Sequence, residues 1–170
     1  AGGCFILPRT RLLARGPDAE RYLNGQITQA VRAATESRVT LPAAVLTPKG
    51  RLSAPLWIAA CEQGFLVDSE RTLREALFQR LDRYLIADQV EFIHCYGVCR
   101  NLAPTGAYHS DRFGMPGSDH FVEQGEAERF LNALPPECRP DPAILEIVRI
   151  ERGLPAWGAE LSEETLLAEA

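Results

Sequence analysis

Apolar residues recur along the chain with two periods, and these predict its elements. Residues 4–7 form a short apolar run closed by Pro8, which predicts a strand, and residues 12–14 predict a second. Gly16, Pro17 and Asp18 read as a strand-to-helix turn in which Gly16 or Asp18 caps the helix. Ala19, Tyr22, Leu23, Gln26 and Ile27 then share one helical face. Residues 28–38 are polar and irregular, a loop or a frayed helix end. Strands over 41–46, 52–60 and 65–67, joined by turns at 47–50 and 62–64, predict an antiparallel meander. Asp68 or Ser69 is expected to cap a helix that carries Leu73, Leu77, Leu81, Tyr84 and Leu85 on one face.

A strand is predicted over 90–96, a loop over 104–117 and a short strand at 121–122. Helices follow over 126–134 and over about 142–152, the second stopped by Gly153 and Pro155. Ser162 to Thr165 is a partial capping box. Hairpin-linked strands followed by packed helices argue for an α+β fold with a mixed, largely antiparallel sheet, not a doubly wound one. One domain over 1–170 is expected, with sub-lobes 1–100 and 101–170 allowed within it.

Composition narrows the class. The 170 residues are 46% hydrophobic and 24% charged, enough apolar material for a core without staples. No apolar run reaches the roughly 18 residues of a membrane span. No signal peptide is read, because no basic stretch precedes the first apolar run. The net charge is −5, but residues 1–100 balance to +3 and residues 101–170 to −8, so an anion meets the first half more easily. Lys49 is the only lysine against seventeen arginines. The five cysteines form no C-x-x-C pair, and Cys95 and Cys99 beside His94 do not have zinc spacing. They are expected to be reduced, mostly buried thiols of a cytoplasmic protein without a metal.

Candidate chemistry is sparse. Ile144, Ile147 and Val148 share a helical face with Glu151, which predicts an inward carboxylate that needs a partner or a function. The alternative is that Glu151 sits at the helix end, where it reaches solvent or pairs with an arginine such as Arg149 or Arg152. Thr47 to Arg51 places Lys49 and Arg51 beside Gly50, a turn able to hold an anion. No nucleotide-binding loop, nucleophile motif or clustered acid pair is present. Trp57 and Trp157 are able to stack on an aromatic ligand, or belong to the core.

Several segments together resemble one family. Gly16 to Ala19 with Tyr22 to Thr28, the turn Thr47 to Arg51, Leu81 to Val90, Asp111-Arg112, and Arg149 to Pro155 followed by Gly158 to Leu161 and Glu164 to Ala170 match its signatures in order. The family is that of the YgfZ-type folate-binding proteins, relatives of the glycine-cleavage T-protein, an aminomethyltransferase. The resemblance implies an α+β folate-binding fold holding tetrahydrofolate or a derivative. It also implies a role in iron–sulfur cluster assembly or repair, and through it in tRNA modification. Folate contacts carried over by the matching segments are Asn24, Gln26, Lys49, Arg51, Arg149 and Glu151. The cations would meet the glutamate tail and Glu151 the amino-pyrimidine edge of the pterin.

Three departures accompany the match. Residues 52–56 lack the Asp that aminomethyl transfer needs in the T-protein, residues 108–117 lack its Gly-Tyr-Thr-Gly-Glu run, and the K-G-C-Y-x-G-Q-E hallmark with its C-terminal β-barrel is not in this chain. The expectation is therefore a non-catalytic or weakly catalytic folate-binding protein. Its alternatives are a one-carbon transferase of the aminomethyl type and an interaction module that has lost folate. Expected partners are folate and iron–sulfur proteins, without membrane or direct nucleic-acid binding. The expected compartment is the cytoplasm, or the mitochondrial matrix in a eukaryote.

Overall fold

A computed structural model describes residues 3–36, 38–95, 106–122 and 125–169. Its frame is a five-stranded antiparallel sheet in the order β2-β3-β4-β1-β5, with β1 Arg9–Arg15, β2 Thr40–Leu46, β3 Leu52–Cys61, β4 Gly64–Glu70 and β5 Glu91–His94. The β2–β3–β4 meander is as the alternation predicts. Pro42 is tolerated because β2 is an edge strand. Pro55 lies just before Leu56, where the β3–β4 pairing begins, so its missing N–H costs no ladder bond there. Its carbonyl instead accepts the Ser69 hydroxyl at 2.7 Å.

One sheet face is apolar and covered by helices α1 Ala19–Gln26, α2 Arg32–Thr35 and α3 Arg74–Asp82. Leu12, Ala14, Val45, Ala54, Leu56, Ile58, Phe65 and Val67 meet Leu23, Val31, Leu73, Leu77 and Leu81 there. Each fully buried leucine contributes about 1.5–3 kcal/mol. The Tyr22 hydroxyl donates to the Leu81 carbonyl, fastening α1 to α3. The opposite face presents Leu13, Ala59 and Leu66 to a hairpin of β6 Ala107–Ser110 and β7 Gly117–His120. Tyr108 of this hairpin is buried on them, and its hydroxyl donates to the Ala60 carbonyl at 2.9 Å. Helices α4 Ala127–Asn132 and α5 Ala143–Glu151 follow. Among the described residues no helix is long and apolar enough to cross a membrane.

Several expectations are corrected. Residues 4–7 form no strand, and the first strand starts after Pro8. Asp68 and Ser69 are not caps but buried members of β4, which runs on to Glu70 before a 3-10 turn, Arg71–Leu73, opens α3. Asp18 precedes α1 but makes no side-chain cap; its carboxylate accepts the Gln89 amide instead. Residues 28–38 contain the short α2. The 104–117 loop contains β6, and the later strand is β7, ending just before 121–122. Tyr84 is exposed, unlike the leucines it was grouped with. Cys4, Cys61, Cys95 and Cys138 are half-buried. The predicted end of the 90–96 strand and Cys99 lie outside the described residues.

Two glycines are required where strands turn. Gly64 has φ +142°, and a Cβ there would sit 2.2 Å from the Ala14 carbonyl oxygen. Gly50, at φ +76°, has open space around it. Gly64→Ala is therefore expected to destabilise by roughly 1–3 kcal/mol from backbone strain alone, with the clash added. Gly50→Ala should cost only about 1–2 kcal/mol. Urea unfolding of the two variants checks this, and equal losses would contradict it.

Candidate functional site

The strongest polar cluster lies where β4 meets the β6–β7 hairpin. Asp68, only 2% exposed, receives Arg9 Nε at 3.0 Å and lies 3.0 Å from Arg112 Nη1. Arg9 also pairs with Glu70. Arg112 extends to Asp119 on β7 with Nη2–Oδ2 at 2.9 Å, and Asp119 in turn accepts the Thr40 hydroxyl at 2.8 Å. The Arg112 guanidinium lies 4.7 Å from the centroid of the Trp57 ring, which explains this tryptophan without a ligand. Burial pushes the Asp119 carboxyl up. The Arg112 hydrogen bonds and charge, with the Thr40 and Ser110 hydroxyls, outweigh this and hold it below its ordinary value. A carboxylate kept ionised in this way is a poor proton donor. The cluster is built to fasten the hairpin to the sheet, and breaking one partner of such a buried pair costs about 3–5 kcal/mol.

The residues carried over by the resemblance fall into two groups. Gln26, Lys49 and Arg51 sit around one end of the β2–β3 pair. Arg80 donates to Gln26 Oε1 at 2.9 Å and to the Leu46 carbonyl at 3.1 Å, joining α1 to the strand end. The turn is closed by Gly50 N–H to the Thr47 carbonyl at 2.9 Å and by Arg51 N–H to Thr47 Oγ1 at 3.2 Å. Lys49 is exposed at its tip. Arg51 pairs with Glu164, and the C-terminal segment runs alongside through a Leu52 N–H to Thr165 carbonyl bond of 2.8 Å. Asn24 is used locally: its Oδ1 accepts the Val31 amide at 2.9 Å.

Arg149 and Glu151 form the second group, on α5. Arg149 is clamped between Glu146 and Glu160 and donates to the Leu154 carbonyl at 2.7 Å. The hydrogen bonds it donates to Glu146 and Glu160 raise its pKa. The Ala156 amide, then Arg149, lower that of Glu160. This knot shapes the 153–161 turn, whose Leu161 packs on Ala44 and Leu52. The inward face expected for α5 is overturned. Of that face Ile144 and Ile147 are 41% and 54% exposed, Val148 is half-buried and Glu151 is exposed, and the neighbouring Ile150 is 62% exposed. Periodicity reveals an amphipathic helix but not what lies against it, and no described element buries this face.

A shallow open groove of about 450 Å³ is lined by Arg15, Gly16, Gln63 and Asp88 to Glu91. It lies past the far end of β3 from the Lys49 turn, roughly 30 Å away along a ten-residue strand. None of the carried-over residues lines it. Among the described residues no group of three or more histidine, cysteine or acidic side chains is placed to hold a metal. The sequence pattern marks Asp68 only as a helix cap and does not mark Arg9, Thr40 or Asp119. The available signal is an acidic residue two positions after Leu66, on the same face of a strand.

No family model matches the chain. By structure it is similar to the glycine cleavage system aminomethyltransferase T from Bartonella henselae, with a TM-score of 0.75 and 15% identity over 93% of this chain and 52% of that one. The fold is therefore the T-protein fold. In sequence it is 29% identical over 140 residues to the tRNA-modifying protein YgfZ of Pectobacterium carotovorum subsp. carotovorum (strain PC1), covering 72% of this chain and 40% of that protein. The chain is thus YgfZ-like in sequence and T-protein-like in fold, as its motifs imply, and it spans about two-fifths of the length of the YgfZ protein it matches.

Asp119 also makes stability depend on acidity. Its folded pKa is depressed, so its contribution is present above the unfolded value of about 3.9 and is lost as pH falls through the folded value. Asp119→Asn keeps an acceptor for Arg112 and leaves that arginine beside Asp68, so it should cost about 1.5–3 kcal/mol at neutral pH, less than full loss of a buried partner. The variant should also flatten the decline of stability below pH ~4. Urea midpoints over a pH series check both, and parallel curves for the two proteins would contradict the assignment.

Proposed function

We propose that this chain is the folate-binding portion of a YgfZ-type protein, acting in iron–sulfur cluster assembly or repair and through it in tRNA modification, without aminomethyl transfer. The observation that carries this is the joint one: a YgfZ-like sequence on the T-protein fold, with no carboxylate at the start of β3. There Leu52, Ala54 and Leu56 are buried, and Ser53 and Pro55 alternate with them. The strand offers no acid to assist a one-carbon transfer. Iron–sulfur proteins in the cytoplasm are the expected partners.

The residues present fit a folate unevenly. Lys49 is exposed and in no ion pair among the described residues. The Arg51 guanidinium pairs with the Glu164 carboxylate, which is itself largely exposed, and donates to the Glu164 carbonyl at 3.3 Å. Exposed pairs contribute about 0–1 kcal/mol, so a folate carboxylate exchanges for Glu164 at little cost. Tetrahydrofolate, when bound, supplies a one-carbon-carrying pterin and a glutamate tail. Lys49 and Arg51 would take the tail, Glu151 would accept hydrogen bonds from the pterin edge, and Asn24 and Gln26 would lie nearby. Arg149, already holding two carboxylates, is assigned to positioning the 153–161 turn. An interaction module without folate is the second reading, favoured by the exposed isoleucines of α5.

Calorimetric titration of tetrahydrofolate and 5-formyl-tetrahydrofolate into the protein tests the proposal. Saturable micromolar binding is expected, weakened about tenfold, or 1.4 kcal/mol, in Lys49→Ala and in Glu151→Ala. Absence of heat at high ligand would reject folate and favour the interaction module.

A further inference from the structure

Two cysteines far apart in sequence, Cys4 and Cys138, meet through their backbones outside the sites described above. The Cys4 amide donates to the Cys138 carbonyl at 2.8 Å, although the residues are far apart in sequence. Covalent geometry across such a bond keeps the two α-carbons roughly 5–6.5 Å apart, inside the span a disulfide bridges. A second contact fixes the same register: a Cβ on Gly3 would lie 2.8 Å from Pro140 Cγ. Both cysteines are half-buried, within reach of a small oxidant. Cys138 ends the short 3-10 turn Pro136–Cys138 between α4 and α5, and Cys4 lies in an irregular segment free of ladder constraints.

The other described cysteines lack this geometry. Cys61 ends β3 and Cys95 follows β5, with β4 and β1 between those strands. That separation is roughly 14 Å, too far for a bond. Burial also pushes the Cys61 thiol up, away from the reactive thiolate.

We propose that Cys4 and Cys138 form a reversible dithiol–disulfide pair that staples the N-terminal segment to the α4–α5 connection under oxidising conditions. With a low-molecular-weight disulfide as oxidant, one cysteine thiolate attacks it, forming a mixed disulfide and releasing one thiol. The second cysteine then attacks the protein sulfur, closing the intramolecular bond and releasing the second thiol. The protein loses two electrons and two protons, and one oxidant disulfide is reduced to two thiols.

The test is oxidation of the native chain with oxidised glutathione, followed by alkylation and peptide mapping without reduction. The expected result is a linked pair of peptides containing Cys4 and Cys138, lost on treatment with dithiothreitol and absent from both Cys4→Ser and Cys138→Ser. The linked protein should also melt about 5 °C or more above the reduced one. Mapping the wild-type chain keeps the result independent of whether either variant folds. Full alkylation of both cysteines after oxidation, stable glutathione adducts on them, or a link to another cysteine instead would overturn the proposal.

Discussion

Arg112 holds the molecule's second layer in place. It sits between Asp68 of the sheet and Asp119 of the β6–β7 hairpin, with its guanidinium over Trp57. Helices cover one sheet face by apolar burial, which needs no directional contact. The other face carries Asp68, Trp57, Leu13 and Leu66, and becomes interior only when the hairpin is laid on it. Asp68 could not be buried without the two arginines that meet it, and Arg112 could not approach without the hairpin that carries it. Such a network need not add much net stability over an apolar packing, but it fixes one docking position. Tyr108 then completes the contact with a ring against the sheet and a hydroxyl on the Ala60 carbonyl.

Much of this was legible in the sequence because it depends on local period. The alternation from Leu52 onward, the Gly64 turn and the Ala19–Tyr22–Leu23–Ile27 face are each set by neighbours within a few positions. The strand β6 was not legible: Tyr108 alone is buried in it, amid residues whose composition reads as a loop. Asp68 and Ser69 look like caps because their type favours helix starts, yet distant partners hold them in a strand. The candidate site divides in the same way. A cationic turn at Lys49 and Arg51 is visible from Pro48 and Gly50. The Arg149 clamp is not, because Glu160 returns to it only through the 153–161 turn. The helical pattern leaves Glu151 either inward or reaching solvent at the helix end, and the structure exposes it.

The functional picture joins a likeness to a set of free charges. The structural likeness supplies the frame, while β3 begins with small and apolar residues and carries no acid. Lys49 and Glu151 are exposed, Arg51 has only an exposed carboxylate as its ionic partner, and Asn24, Gln26 and Arg149 are engaged in holding the scaffold. The groove beside Gly16 and Gln89 is the competing location, at the other end of the sheet, with its own charges already paired between Arg15 and Glu91 and between Arg21 and Asp88.

The most direct test of the folate assignment is amide chemical-shift mapping of the protein titrated with 5-formyl-tetrahydrofolate. The account predicts saturable shifts at Lys49, Gly50, Arg51 and Glu151, with little change at Gly16, Gln63 and Gln89. Shifts confined to those last three residues, or an unchanged spectrum at saturating ligand, would contradict it.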